Sequence, residues 1–322
     1  MTKLIVLDDT VLGRNILNAF TEEEIVPFEL LKFSDGELCV ELNAPVRCDD
    51  VVLVSSICEP VNENLVKVLI ALDAIKRASP KSITLISPYL GYSRQDRRVK
   101  AWQPISARLI ADLLQTAGIN RIITCDLHAS QIEGFYSIPI DNIPILQILG
   151  NRWRKARPKS GDFSKLVVVS PDAGGVTRAR AFMNEAKIPN MAAIFKYREK
   201  PNEVATMQVI GDVKGKTVII IDDIVDTGGT LVKSSSELKK LGAEKVYVYC
   251  THGVLSGNAI EKITNAESID KLFITNTIDK TSQINGDKIG YIDISDILIG
   301  LINTFKNGGY ISELIKDFLS EE

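Results

Sequence analysis

One stretch, residues 218–241, constrains the fold of this chain most. It reads V-I-I-I-D-D-I-V-D-T-G-G-T followed by L-V-K-S-S-S-E-L-K-K-L. Val218, Ile219, Ile220 and Ile221 predict a short strand covered on both faces, which is a parallel-sheet pattern. Asp222 and Asp223 stand at its carboxyl end. Asp226, Thr227, Gly228, Gly229 and Thr230 form a tight loop. A helix follows, with Leu231, Leu238 and Leu241 on one face and Gly242 as its stop.

That geometry carries chemistry. Glycines take positive φ and let backbone approach a ligand closely. The first N–H groups of a helix have no partner within it, and the helix dipole favours an anion there. Thr227 and Thr230 add hydroxyl donors, so the loop suits a phosphate. Two adjacent acids would repel phosphate but accept hydrogen bonds from sugar hydroxyls. A sugar phosphate is the natural guest. An ordinary β–α turn with an N-cap uses the same residue types. The acid pair on an all-apolar strand favours the ligand reading, and the pattern resembles the phosphoribosyl-diphosphate-binding motif of type I phosphoribosyltransferases. Just upstream, Gly211, Gly215, Lys216 and Thr217 imitate a phosphate-binding P-loop. Their spacing is one residue short, and they precede a strand where that motif follows one.

Length and composition set the frame. A chain of 322 residues accommodates two domains of ordinary size. With 45% apolar and 25% charged residues it has a globular composition. A net charge of −3 gives no electrostatic case for nucleic acid or an anionic membrane. The five cysteines (Cys39, Cys48, Cys58, Cys125, Cys250) are scattered and never spaced C-x-x-C, which points to a reducing cytoplasm without disulfides. No secretory signal or run of transmembrane length is evident.

Short apolar runs alternate with amphipathic helical patterns at residues 4–7, 51–54, 83–86, 122–125, 166–169, 218–221 and 246–249. Such alternation predicts α/β units around parallel sheets. A weak echo suggests two similar halves. Ser87-Pro88 and Ser170-Pro171 each follow a strand, and later in each half a strand ends in an acid, Asp126 or Asp222. The second half carries an insertion, for which residues 196–212 read as a mobile loop. The break falls near residues 142–150.

Other strand ends carry further motifs. Arg94, Gln95, Asp96, Arg97 and Arg98 follow the third strand; arginine forks suit phosphate and the amide suits a base edge, though a solvated loop is the alternative. Open α/β sheets bind ligands at that edge. His128 follows Asp126 and is either a ligand or structural; His252 reads as structural. Asp172, in S-P-D-A-G-G, can ligate a hard cation, with a Pro-Asp turn as the alternative. Lys196 and Arg198 alternate and would project together from extended backbone, as a charge-neutralising loop requires; on the residues alone they read as a solvated loop. The early F-S-D-G-E, from Phe33 to Glu37 through Asp35-Gly36, is a hairpin turn signal.

Taken together, these motifs resemble those of class I ribose-phosphate pyrophosphokinases, the phosphoribosyl-pyrophosphate synthetases. The resemblance spans essentially the whole chain, through T-H-G-V-L-S-G and I-T-N-T-I. It implies two tandem type I phosphoribosyltransferase-like domains with central, mostly parallel sheets, at 1–147 (ATP side) and 148–304 (ribose 5-phosphate side). A tail, 305–322, would pack back on the first. It implies transfer of a diphosphoryl group from ATP to the 1-hydroxyl of ribose 5-phosphate, with Mg2+ as cofactor. By the same resemblance, Lys196 and Arg198 are catalytic. Arg94, Gln95, Asp96 and His128 bind ATP, joined by Phe33, Asp35 and Glu37 from a neighbouring subunit. Asp222 and Asp223 hold the ribose, and Asp226, Thr227, Gly228, Gly229 and Thr230 hold its 5-phosphate. His128 and Asp172 hold the metal, although magnesium prefers oxygen and chemistry alone suggests a softer metal at His128. A homo-oligomer, a hexamer built from dimers, is implied, with inorganic phosphate or ADP as effectors.

Three positions depart from the family pattern: Tyr197 between the two basic residues, Pro45 shortly before Arg47, and the chain end N-G-G-Y-I-S-E-L-I, which keeps only Ser312 of two serines. The last two bear on the effectors. Two rival readings are a non-catalytic regulatory homologue and a phosphoribosyltransferase that consumes the diphosphate. The intact Lys196, Arg198, His128 and acid pair oppose the first, and the second half-chain bearing R-Q-D opposes the other.

Overall fold

A computed structural model describes residues 1–158, 162–197 and 206–320. The chain divides into two compact units. The first comprises Met1–Ile143, Thr277–Asp279 and Asp293–Leu314; the second comprises Pro144–Asn276, Lys280–Ile292 and Ile315–Glu322. The chain thus leaves the first unit after Ile143, against an expected boundary at 147, and segment 293–304 groups with the first unit.

In the first unit the elements run β1 (Thr2–Val6), α1 (Val11–Leu17), β2 (Phe28–Lys32), β3 (Leu38–Leu42), β4 (Asp50–Val54), α2 (Val61–Arg77), β5 (Ser82–Ser87), α3 (Ser106–Ala117), β6 (Arg121–Cys125) and β7 (Ile140–Ile143). A five-stranded sheet has the order β1-β4-β5-β6-β7, parallel throughout. The strands are apolar on both sides because both sides are buried. Ile5, Val51, Leu53, Ile83, Leu85 and Ile122 join one core cluster, while Leu4, Val52, Val54, Ile86 and Ile123 are buried from the other face. Helix α2 sends Leu65, Val68, Leu72 and Ile75, at helical spacing, into that cluster. Near the end of the chain α8 (Ser295–Lys306) returns to this unit. Asn15 Nδ2 donates to Asp293 Oδ2 at 3.0 Å, Lys306 pairs with Glu24, and the Arg121 guanidinium lies 5.5 Å from the Phe305 ring centre.

The second unit contains α4 (Ile145–Ala156), β8 (Leu166–Ser170), α5 (Val176–Ala186), β9 (Asn190–Tyr197), β10 (Thr206–Ile210), β11 (Thr217–Val225), α6 (Gly229–Lys240), β12 (Lys245–Gly253), α7 (Ala259–Thr264), β13 (Lys271–Thr275) and β14 (Ile289–Ile292). Its sheet has the order β10-β9-β8-β11-β12-β13-β14, with only the β9–β10 pair antiparallel. The last helix, α9 (Ile311–Leu319), ends on this unit: Asn151 Nδ2 donates to the Leu319 carbonyl at 2.8 Å. No helix among the described residues is long and apolar enough to cross a membrane.

All seven apolar runs read from the sequence fall on strands, Leu7 alone lying one residue past the end of β1. Three local expectations need correction. The 196–212 segment is not simply a loop, because Lys196 and Tyr197 finish β9 and Thr206–Ile210 form β10 paired to it. The key strand does not stop at Ile221 but runs to Val225, since Ile224 and Val225 continue pairing with His252 and Gly253. Leu241 is not on the buried face of α6; it caps the helix and is exposed, while Leu231 and Leu238 are buried.

Candidate active site

The order of the second sheet decides where a ligand can sit. From β8 the chain steps to β9 on one side and later to β11 on the other. That reversal opens a crevice outside the carboxyl ends of β8 and β11, the usual binding place in an open α/β sheet. The β8–β11 ladder ends at the Ile220–Val169 pair, so the last five residues of β11 run on beyond β8. Asp222 and Asp223 are on this overhang.

Both acids are drawn from water, with side chains 24% exposed for Asp222 and 4% for Asp223. Arg178, on the first turn of α5, approaches both. Its Nη1 lies 2.9 Å from Asp223 Oδ1 and 3.9 Å from Asp222 Oδ1. The backbone N–H of Asp223 donates to Asp222 Oδ1 at 2.9 Å. Burial pushes the Asp222 carboxyl well above the usual carboxylate range; the Asp223 charge and hydrogen bond and the Asp172 charge add to this, and Arg178 opposes it. Cys250, paired with Asp222 across the ladder, is a buried thiol pushed up chiefly by burial.

The loop after the acids is built as a cradle. Gly228 has φ +71°, which strains any other residue, and a Cβ there would lie 3.1 Å from Ile263 Cδ1 and Cγ1, so that side chain would have to shift. The Thr227 carbonyl accepts from Lys262 Nζ at 2.9 Å, and the Val225 carbonyl accepts from Leu255 N–H at 3.0 Å. Helix α6 makes its first intrahelical bond from Val232 N–H to the Gly228 carbonyl, at 3.0 Å. The N–H groups of Gly229, Thr230 and Leu231 precede that bond and have no acceptor within the helix. Thr227 and Thr230 are exposed beside them.

At the end of β8, Asp172 Oδ1 accepts from Gly175 N–H at 2.9 Å and Ser170 Oγ donates to the Asp172 carbonyl at 2.7 Å. This turn leaves Asp172 exposed and starts α5. Lys196 is in β9 opposite Met207, with its side chain outside the described residues, and Arg198 lies outside them altogether.

In the first unit, Arg94, Gln95 and Asp96 follow β5. Gln95 and Asp96 are held by the protein: Ser106 Oγ donates to Gln95 Oε1 at 2.6 Å, and Gln131 Nε2 donates to the buried Asp96 carboxylate. Arg94 is exposed, as is His128, which follows β6 after Asp126 in a left-handed conformation, φ +35°. Phe33, Asp35 and Glu37 form the tip of the β2–β3 hairpin, a separate two-stranded sheet. Its turn is closed by Phe33 N–H to the Glu37 carbonyl at 2.8 Å. Glu37 N–H donates to Asp35 Oδ1 at 3.0 Å, and Phe33 remains half exposed.

The structure therefore gathers Asp172, Asp222, Asp223 and residues 226–230 at one sheet edge of the second unit, and Arg94 to Asp96 and His128 at strand ends of the first. It adds two residues that sequence reading missed. Lys262 was hidden because its contact comes from a separate helix. Arg178 was one of two arginines in T-R-A-R, and only the start of α5 decides which of them faces the acids.

Residues 8–118 match the family model of the N-terminal domain of ribose phosphate pyrophosphokinase, and residues 162–316 that of the phosphoribosyl synthetase-associated domain. A ribose-phosphate pyrophosphokinase from Bordetella pertussis is 46% identical over 291 residues, covering 89% of this chain and 91% of that one. The chain belongs to the ribose-phosphate pyrophosphokinase family. It is also 44% identical to the Marinomonas sp. ribose-phosphate pyrophosphokinase, over 88% of this chain and 89% of that one. The fold is that of phosphoribosylpyrophosphate synthetase from Mycobacterium smegmatis, with a TM-score of 0.85 at 32% identity over 96% of this chain and 99% of that chain. Like those relatives, this member of the family is an enzyme, and its α/β architecture of largely parallel sheets is the family's.

Proposed function

We propose that the enzyme transfers the diphosphoryl group of ATP to the 1-hydroxyl of ribose 5-phosphate, giving 5-phospho-α-D-ribose 1-diphosphate and AMP. The observation that carries this reading is the acid pair, Asp223 buried and Asp222 partly so, set against a glycine–threonine loop at a helix start, at the reversal point of the second sheet. Asp226, Thr227, Gly228, Gly229 and Thr230 hold the 5-phosphate, helped by the N–H groups at the start of α6 that have no acceptor within the helix. The ribose hydroxyls donate to Asp222 and Asp223. The anomeric oxygen then attacks the β-phosphorus of ATP. The bond from that phosphorus to the oxygen bridging to the α-phosphorus breaks, AMP leaves with that oxygen, and the hydroxyl proton is released.

Catalysis of such a transfer is mostly positioning and charge neutralisation. Lys196 and Arg198 supply positive charge to the transferring group. ATP is taken by Arg94, Gln95, Asp96 and His128, with Phe33, Asp35 and Glu37 reaching in from a neighbouring subunit of a homo-oligomer, a hexamer of dimers. In this reading residues 1–147 form the ATP side and 148–304 the sugar side. The exposed carboxylate of Asp172 suits magnesium, which is commonly held by one or two carboxylates plus substrate phosphates. The His128 imidazole, a nitrogen donor, fits as the lesser contributor. Among the described residues no three His, Cys, Asp or Glu side chains cluster around a metal position, and magnesium needs no such cluster. When bound, it supplies charge neutralisation on the polyphosphate. The five cysteines, none of them in a disulfide, suit a reducing cytoplasm.

The test incubates the enzyme with ATP, ribose 5-phosphate and magnesium and separates the nucleotides. The expected result is AMP in step with the sugar diphosphate. ADP as the nucleotide product overturns the reading. Repeating the assay with inorganic phosphate and with ADP tests the effectors, for which Pro45 and the altered chain end predict a weakened response.

A further inference from the structure

Arg178 lies on the first turn of α5, and one of its nitrogens is shared by the two acids. Nη1 stands 2.9 Å from Asp223 Oδ1 and 3.9 Å from Asp222 Oδ1. The guanidinium is itself largely withdrawn from water, 19% exposed. Its position follows from the turn that presents Asp172. Asp172 Oδ1 takes the Gly175 N–H and starts the helix, and a side chain at Gly175 would crowd Ser170 Oγ, 2.9 Å from its Cβ and held on the Asp172 carbonyl, with Arg178 Nη1 in ordinary contact beyond it.

Two neighbouring carboxylates so removed from water do not both stay ionised without a cation. A protonated acid would present a donor where a sugar hydroxyl needs an acceptor. Arginine is suited to this place because it stays charged when buried and its planar fork can engage two oxygens at once. We infer that Arg178 is a positioning residue for sugar binding, holding the Asp223 carboxylate in place as a hydrogen-bond acceptor toward the ribose hydroxyls and supplying a positive charge that also reaches Asp222. This inference rests on the reading of the two acids as the ribose contacts. Arg178 acts through them and touches no reacting atom.

The test compares Arg178→Gln and Arg178→Lys with the unmodified enzyme. KM for ribose 5-phosphate and for ATP and kcat are measured, together with ribose 5-phosphate affinity by calorimetry and the melting temperature. Arg178→Gln is expected to raise the ribose 5-phosphate KM and dissociation constant at least tenfold, with the ATP KM within about threefold, a loss confined to one substrate. Arg178→Lys keeps the charge but not the fork, and is expected to recover part of that loss. A folded Arg178→Gln enzyme with unchanged ribose 5-phosphate affinity overturns the inference. So does an equal rise in both KM values with no recovery by lysine, which would mark a general structural role. Where Arg178→Gln does not fold, Arg178→Lys decides: a selective rise in the ribose 5-phosphate KM supports the inference, and an unchanged one overturns it. Failure of the unmodified enzyme to form AMP would refute the reaction instead, and the calorimetric comparison would still report on Arg178.

Discussion

Gly228 and Gly229 are adjacent, yet replacing each by alanine should produce opposite signatures. At Gly228 the backbone has φ +71°, where an L-residue costs about 1–2 kcal/mol. The new Cβ would also stand 3.1 Å from two atoms of Ile263, which is fully buried and must shift within a packed core. Overpacking of that kind adds about 1–2 kcal/mol. The total, roughly 2–4 kcal/mol, corresponds to a fall in melting temperature of about 5–15 °C for a unit of this size. At Gly229 the backbone is not in the left-handed region, and beyond the neighbouring residues and the helix's own backbone, the nearest atom to a Cβ among the described residues is Thr227 Oγ1 at 4.0 Å. Gly229→Ala should therefore melt at the unmodified temperature or slightly above it, since alanine is the better helix former. Its methyl group would occupy the space above the free N–H groups, so the ribose 5-phosphate KM should rise at least tenfold. Thermal melts followed by circular dichroism and KM determinations on the two variants separate these effects. A Gly228→Ala protein that melts like the original refutes the strain argument. A Gly229→Ala enzyme with an unchanged ribose 5-phosphate KM refutes the loop as the phosphate seat.

Two further outcomes follow from charges and thiols. Lys306 on α8 lowers the Glu24 carboxyl to about 2 from 4.5, chiefly through their hydrogen bond. A lowered folded-state value means the contribution is complete above about pH 4.5 and is lost as the pH falls toward 2. Lys306 is 44% exposed, so screening keeps the effect below about 1 kcal/mol. Lys306→Ala should therefore lower stability by up to about 1 kcal/mol at neutral pH, with the difference from the unmodified protein vanishing as the pH falls toward 2 and the acid slope flattened accordingly; an unaltered acid slope contradicts the assignment. In a thiol-labelling time course the native enzyme should react first at the exposed Cys48, while Cys125 and Cys250, buried and with thiols pushed up chiefly by that burial, should react only on unfolding. Fast native labelling at either buried position contradicts the core as described.

The parallel-sheet architecture was legible because its strands are apolar on both faces and short, a pattern few other folds require. The sugar-phosphate loop was legible because its chemistry is contiguous: acids, glycines and threonines lie within nine residues of one strand and helix, Asp222 to Thr230. What stayed hidden was set at a distance. That β11 extends past the acids depends on its pairing with His252 and Gly253, contributed by another strand. Leu241 matches the helical period but ends up as the cap of α6, where the chain turns at Gly242. Arg178 and Lys262 reach the site from α5 and α7, and their relation to the acids and the loop is fixed by how those helices start and pack. The roles of Gln95 and Asp96 in holding α3 and Gln131 depend likewise on neighbours remote in sequence.

The most direct test of the account follows the β-phosphorus of ATP. Enzyme, ribose 5-phosphate, magnesium and ATP labelled at the β-phosphorus are combined, and the label is tracked as product forms. Diphosphoryl transfer predicts that all of the transferred label appears in the sugar 1-diphosphate and none remains in the nucleotide product. Label retained in a nucleoside diphosphate would mean that only the terminal phosphoryl group moves, and would contradict the proposed reaction.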